Sequence, residues 1–358
     1  MILNNTRTEW YDQCPRRYFW AVEYDGVGIE PDKTDEKLLF GQIVHAGLAS
    51  YYSGASESEV YDATEAASDT ILGKDSLDFD EANFWADRMD LAQRLLKTYR
   101  PWAQEHDKFS VLQIETEGLV TLGEICWKCG EPYAERDGKC PKCNSPIHSM
   151  VFRVDLTVNQ DGRIGVIDHK TTKSASDIYL KSWHYSSQLI WYAYGYGKAL
   201  ETPVNFYEVN IIRKLETAGT ERAEFKNCSE CHNGKVKKLS CELCERTGKV
   251  EKEVKLVPFQ REHEGVNSDN VERILRSRIS LYNEIEQDRE LFKSEPDAAF
   301  RMRPKSCFTY GPCPYLDLCW TGDAGKWHNP NPGLLMGRFK YRPDDYVDTA
   351  AMLREEQV

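Results

Sequence analysis

Twelve cysteines, at 14, 126, 129, 140, 143, 228, 231, 241, 244, 307, 313 and 319, constrain this chain more than any other feature. Their spacing sorts them into three groups of four with none left over. Met1 to Arg7 is too polar, and its apolar run too short, for a signal peptide. Without an export signal, thiols are read as metal ligands before disulfides. No apolar run approaches the roughly 20 residues that a membrane-spanning helix needs. The expectation is therefore a cytoplasmic chain with no membrane partner.

Cys126-x2-Cys129-x10-Cys140-x2-Cys143 has the spacing of a zinc ribbon. Each CxxC turn presents two thiolates to one side of an ion, and the second turn closes the tetrahedron. Cys228-x2-Cys231-x9-Cys241-x2-Cys244 repeats the pattern, with His232 adjacent as an alternative ligand. The two groups predict two structural Zn2+ ions. A closed four-ligand site has no open position, so neither ion is expected to be catalytic. Lys235, Lys237, Lys238, Arg246 and Lys249 surround the second group and are candidates for phosphate contact. The third group is split, with Cys14 near one end and Cys307-x5-Cys313-x5-Cys319 near the other. One metal centre holding all four would staple the two ends together, and four thiolates suit either an iron–sulfur cluster or zinc.

Between the ends the periodicity predicts helices over 6–23, 42–52, 61–106 (one or two, broken near Gly73), 186–200 and 270–292. Strands are expected over 111–120, 150–158, 164–167 and 204–213, with 254–259 as the hairpin partner of the last. Asn159-Gln160-Asp161-Gly162 reads as the turn between the second and third strands. The order favours an α/β core with a mixed sheet flanked by helices. Both internal cysteine groups fall where hairpin turns would otherwise lie. The organisation expected is a core over 1–320 closed by the terminal cysteines, insertions over 122–149 and 215–253, and a loosely specified tail over 321–358.

The net charge of -12 argues against a protein that coats nucleic acid through a global positive field. It leaves room for acidic metal ligands beside local basic runs such as Arg16-Arg17 and Arg301-Met302-Arg303-Pro304-Lys305. Asp155 lies on the second strand, and Asp168-His169-Lys170 follows the third. Two carboxylates converging from adjacent strands can hold a hard divalent cation such as Mg2+ or Mn2+. Lys170, two residues beyond Asp168, shares its face of the strand. There it can orient or help deprotonate a water and offset charge on phosphoryl oxygens.

This D-x(n)-D-x-K pattern resembles the PD-(D/E)XK nucleases of the RecB-like branch, which implies their restriction-endonuclease-like fold. The resemblance extends over roughly residues 6 to 320, apart from the two insertions. It implies that His45, in Gly41-Gln-Ile-Val-His45, is a metal ligand with Asp155 and Asp168. Glu115 stands where the family often has another acidic residue, with Glu117 as its rival on the same face. Gln188-x3-Tyr192 resembles the family's QxxxY motif, and the i, i+4 spacing puts both on one helical face toward the water and the DNA backbone. The terminal cysteines resemble the 4Fe–4S staple of RecB-family nucleases, including CRISPR-associated exonucleases. Their first interval, x5 where the family has x2, keeps zinc as the alternative. The second zinc group resembles the knuckles of DnaJ-type modules over about twenty residues. The function implied is a metal-dependent DNA exonuclease acting on single strands or ends, with recombination or replication proteins as candidate partners. The alternative is a catalytically silent nucleic-acid scaffold of the same fold.

Overall fold

The computed structural model describes residues 2–342 apart from 33–35, 73–78, 123–125, 127, 130, 133–138, 146, 174, 215–223, 228–234, 237–238, 241–248, 253–257, 310, 321–326, 329 and 331–334. The chain begins with β1 (Ile2–Leu3), α1 (Asn5–Gln13), α2 (Pro15–Tyr18), β2 (Ile29–Pro31), α3 (Glu36–Tyr52), α4 (Glu57–Leu72) and α5 (Phe79–His106). Three strands follow, β3 (Ser110–Thr121), β4 (Ser149–Gln160) and β5 (Arg163–Thr172), then α6 (Asp177–Ser182), α7 (Ser187–Ala199) and β6 (Phe206–Arg213). The short strands β7 (Glu224–Asn227), β8 (Lys235–Val236), β9 (Leu239–Ser240) and β10 (Lys249–Lys252) precede β11 (Phe259–Gly265). α8 (Ser268–Ser294), α9 (Leu316–Trp320) and β12 (Phe339–Tyr341) complete the described chain.

Six strands make one mixed sheet, as the element order predicts. β3, β4, β5, β6 and β11 lie side by side, and β1 pairs with the start of β4. β4 is antiparallel to β3 and β5, β5 is parallel to β6, and β6 is antiparallel to β11. The β4–β5 turn places Asp161 and Gly162 at φ 53° and 82°, the pair of positive φ values that a tight hairpin needs. β6 is buried along nearly its whole length, as a strand covered on both faces must be. One face packs under α7 and α8 around Phe152, Val154, Val209 and Ile211. The other packs under α3, α4 and α5 around Phe40, Val44, Leu95 and Ile212.

Three sequence expectations give way. The helix over 6–23 is broken at Cys14, whose backbone is extended (φ -162°, ψ 111°), because a following proline disfavours helical geometry at the residue before it. The partner of β6 is Phe259–Gly265 and not 254–259, and 253–257 lie outside the described residues. The 61–106 region, by contrast, divides into the helices α4 and α5, one of the two arrangements its periodicity allows. Within the segment read as a loose tail, Trp327 is buried and Phe339–Tyr341 pairs with Ile29–Pro31.

β5 passes so close to Phe206 that a Cβ added at Gly165 would lie 2.2 Å from that ring. Gly165→Ala should therefore cost about 1–3 kcal/mol, the range for overpacking a filled core. Urea denaturation checks this. A wild-type midpoint would show that the ring has room to move.

Candidate active site

The β4–β5 ladder stops at Leu156↔Ile167. In that register Asp155 and Asp168 are the next residues to face each other. Past this point β5 stays paired with β6 through Thr172, while β4 stays paired with β3. The two strands thus fork, and each prong carries a carboxylate. The fork is closed by a side chain: Asp155 Oδ2 accepts the main-chain N–H of His169 at 2.6 Å.

β4 also changes face here. Met150, Phe152 and Val154 join the core beneath α7, whereas Leu156 and Val158 join Ile167 and Phe206 beside Tyr52 of α3. Residues two apart in a regular strand share a face, so the alternation is interrupted at Asp155. On the neighbouring strand Glu115 lies between the pairs Ile114↔Leu156 and Thr116↔Val154 and has φ 50°, a left-handed value uncommon for a non-glycine residue. Glu115 and Asp155 therefore meet where both strands depart from regular geometry. Arg153 holds Glu115 Oε2 with Nε at 3.1 Å and Nη2 at 2.8 Å.

α3 brings in His45, with Nδ1 3.4 Å from Asp155 Oδ2. One donor atom from each of His45, Glu115 and Asp155 lies within 4.8 Å of the others. Asp168 falls outside that group, with its Oδ2 2.6 Å from Lys170 Nζ. Glu117, the rival of Glu115, is registered opposite Arg153 and is also outside it. On α7, capped by the Ser186 hydroxyl on Leu189 N–H, Gln188 Nε2 donates to the Tyr192 hydroxyl at 2.7 Å. Tyr192 is close enough to Asp168 and Lys170 for each to affect its ionisation.

The two aspartates are electrostatically unlike. Burial pushes Asp155 up, but His45, then His169 and Lys170, hold it below the usual carboxylate range. Burial pushes Asp168 up to about 6, with Asp155 adding to the rise and Lys170 opposing it. Burial lowers Lys170, yet Asp168 and Asp155 raise it beyond its ordinary value, so it is an ammonium. His45 is raised too, because Asp155 outweighs the opposing effect of burial. His169, buried and pushed down to about 3, is neutral. Sequence reasoning gave His169 no role, since a residue facing away from Asp168 and Lys170 carries no motif.

The first zinc group is assembled. The Sγ atoms of Cys126, Cys129, Cys140 and Cys143 all lie within 4.8 Å, with Cys126–Cys143 at 3.5 Å and Cys129–Cys140 at 3.6 Å. A tetrahedron with metal–sulfur bonds near 2.3 Å has edges of about 3.8 Å. The module sits on the β3–β4 connection, tied at its base by Leu122 N–H to His148 O at 2.8 Å. Cys228, Cys231, Cys241 and Cys244 lie outside the described residues; around them β7 pairs with β10 and β8 with β9. Cys14, Cys307, Cys313 and Cys319 line one small pocket with Gln13 and Arg17. Residues 13–14 and 303–306 are laced together there by Arg303 N–H to Cys14 Sγ at 3.4 Å and Ser306 Oγ to Gln13 O at 2.7 Å.

The family model of the PD-(D/E)XK nuclease superfamily matches residues 3–320 of the chain. No curated protein matches it.

Proposed function

The chain belongs to the PD-(D/E)XK nuclease superfamily, and from that premise we propose that it hydrolyses DNA with Mg2+ or Mn2+ as a RecB-like exonuclease on single strands or ends. The observation that carries this reading is the convergence of His45, Glu115 and Asp155 at the fork in the sheet. Two carboxylates and an imidazole are donors that suit Mg2+ or Mn2+, and Asp168 across the fork completes the candidate ligand set. Such an ion, when bound, lowers the pKa of a water and stabilises charge on the phosphoryl oxygens.

The remaining work belongs to the chain. Lys170, kept protonated by Asp168, offsets phosphate charge and orients water; a lysine held as an ammonium is a poor base. Gln188 and Tyr192 offer an amide and a hydroxyl to the backbone of the substrate. Arg301 and Lys305 are exposed and suited to guiding a strand. Arg16 and Arg17 are half-buried over the rings of Trp327 and Trp10 and are better read as part of the staple's walls.

The knuckle at Cys126–Cys143 suits one zinc, and the second group is its counterpart. For Cys14, Cys307, Cys313 and Cys319 we favour a 4Fe–4S cluster. Among the described residues, the thiols that close to within 4.8 Å as a set are those of the first knuckle, while the terminal four share a cavity at wider spacing. A cubane sets four irons between its ligands, whereas zinc sets one ion.

Asp155→Asn and Lys170→Ala should each lower Mg2+-dependent cleavage on the order of 10²–10³-fold, as loss of a preorganised charge does. The assay is end-labelled linear and internally labelled circular single-stranded DNA, with EDTA as the blank. Linear strands should be degraded and circles spared; cut circles would contradict the exonuclease reading.

Cys14→Ser should remove iron and sulfide together and lower the thermal midpoint of the whole domain. Cys126→Ser should remove one zinc and leave the main unfolding transition in place, because metal binding folds such a knuckle locally. Metal analysis with calorimetry checks both. Zinc in place of iron would reassign the staple, and an indifferent midpoint in Cys14→Ser would remove it.

A further inference from the structure

His169 stands between Asp168 and Lys170 but faces the other side of β5. Its main-chain N–H is the donor that closes the fork on Asp155. Its ring is anchored in a buried polar network. Asn210, its direct partner across the β5–β6 ladder, sets Nδ2 2.8 Å from His169 Nδ1 and donates to the Tyr99 hydroxyl at 2.8 Å. The Tyr99 and Tyr52 hydroxyls are 2.6 Å apart. Arg261 Nη2 donates to Tyr52 at 3.1 Å, to Tyr99 at 3.2 Å and to Asp107 at 2.5 Å. The Tyr52 ring lies parallel to the His169 imidazole, 11° apart with centroids at 5.8 Å.

Such a network is a costly way to fill a core. Unpaired buried polar atoms are destabilising, and three remain within it, His169 Nε2, Asn210 Oδ1 and Arg261 Nε. The flanking residues of β6, Val209 and Ile211, are apolar and fully buried, so an apolar pair at 169 and 210 would suit the strands. What an apolar pair would lack is direction. Asn210 on β6 supplies the hydrogen bond to the imidazole, and the bonds that tie Asn210 to α5, and α5 to α3 and β11, fix how the ring sits and thereby the main chain that holds Asp155.

We propose that His169 and Asn210 are positioning residues for the divalent ion of the nuclease site. They set the Asp155 carboxylate through the His169 N–H and touch neither ion nor substrate. The inference rests on the metal-site reading above.

Mn2+ titration of the full chain, followed by electron paramagnetic resonance, tests it without reference to cleavage. Asn210→Leu should weaken Mn2+ binding 10- to 100-fold, as loss of an outer hydrogen-bonding partner does. Tyr99→Phe keeps the ring and removes one hydroxyl, and should weaken it about fivefold or more, the worth of the Asn210 bond alone being about fivefold. Thermal melts of the same samples identify any variant that fails to fold; if Asn210→Leu does, Tyr99→Phe decides. A merely structural network would lower the melting midpoint and leave Mn2+ affinity unchanged, which would overturn the inference alone. Absence of Mn2+ binding in the wild type, or binding undiminished in Asp155→Asn, would overturn the metal-site reading and the inference with it.

Discussion

The fork between β4 and β5 is the constraint on which the rest of the molecule depends. A sheet normally satisfies its backbone by continuing its ladders. Here one ladder ends at Leu156↔Ile167, and a buried carboxylate, Asp155, takes the next N–H. That substitution keeps the backbone paired while turning the strand ends apart. It also concentrates negative charge, which His45, Arg153 and Lys170 offset from three directions. The acidic fork and its cationic surround form one electrostatic unit, and a divalent ion is the ligand class that such a unit suits.

Much of this was legible in the sequence. Asp155 and Asp168 were read as carboxylates on adjacent strands, and Lys170 from sharing the face of Asp168 two residues earlier; the D-x(n)-D-x-K resemblance joined the three. His45, Gln188 and Tyr192 came from resemblance to a motif order, and α3 and α7 carry them toward the same fork. Glu115 and Glu117 could not be separated by period, because they lie two apart on one strand. The positive φ at Glu115 and the change of face at Asp155 break that symmetry, and neither leaves a trace in a hydrophobic pattern. The network of His169, Asn210, Tyr99, Tyr52, Arg261 and Asp107 was equally invisible, because it joins elements whose residues are up to 209 positions apart. Cys14 shows the reverse case: helical spacing suggested one helix, but the Pro15 that follows it was the overriding local signal.

The cysteines serve this core at two scales. The first knuckle occupies the β3–β4 connection and folds around its own ligands, so β3 and β4 tolerate it as a long hairpin loop. The terminal four draw together residues about 300 positions apart, where burial raises the thiols of Cys307, Cys313 and Cys319 above their ordinary range. Free thiols so placed are neutral, and a metal centre would hold them as thiolates. That coupling would make closure of the domain dependent on the centre, whereas the fork depends on local strand geometry.

Anomalous scattering from crystals grown with Mn2+ tests the central claim most directly. The fork account predicts a peak coordinated by Asp155, Glu115 and His45 and completed by Asp168 across the fork. A clear Mn2+ peak held by other residues, with these side chains unligated, would contradict it.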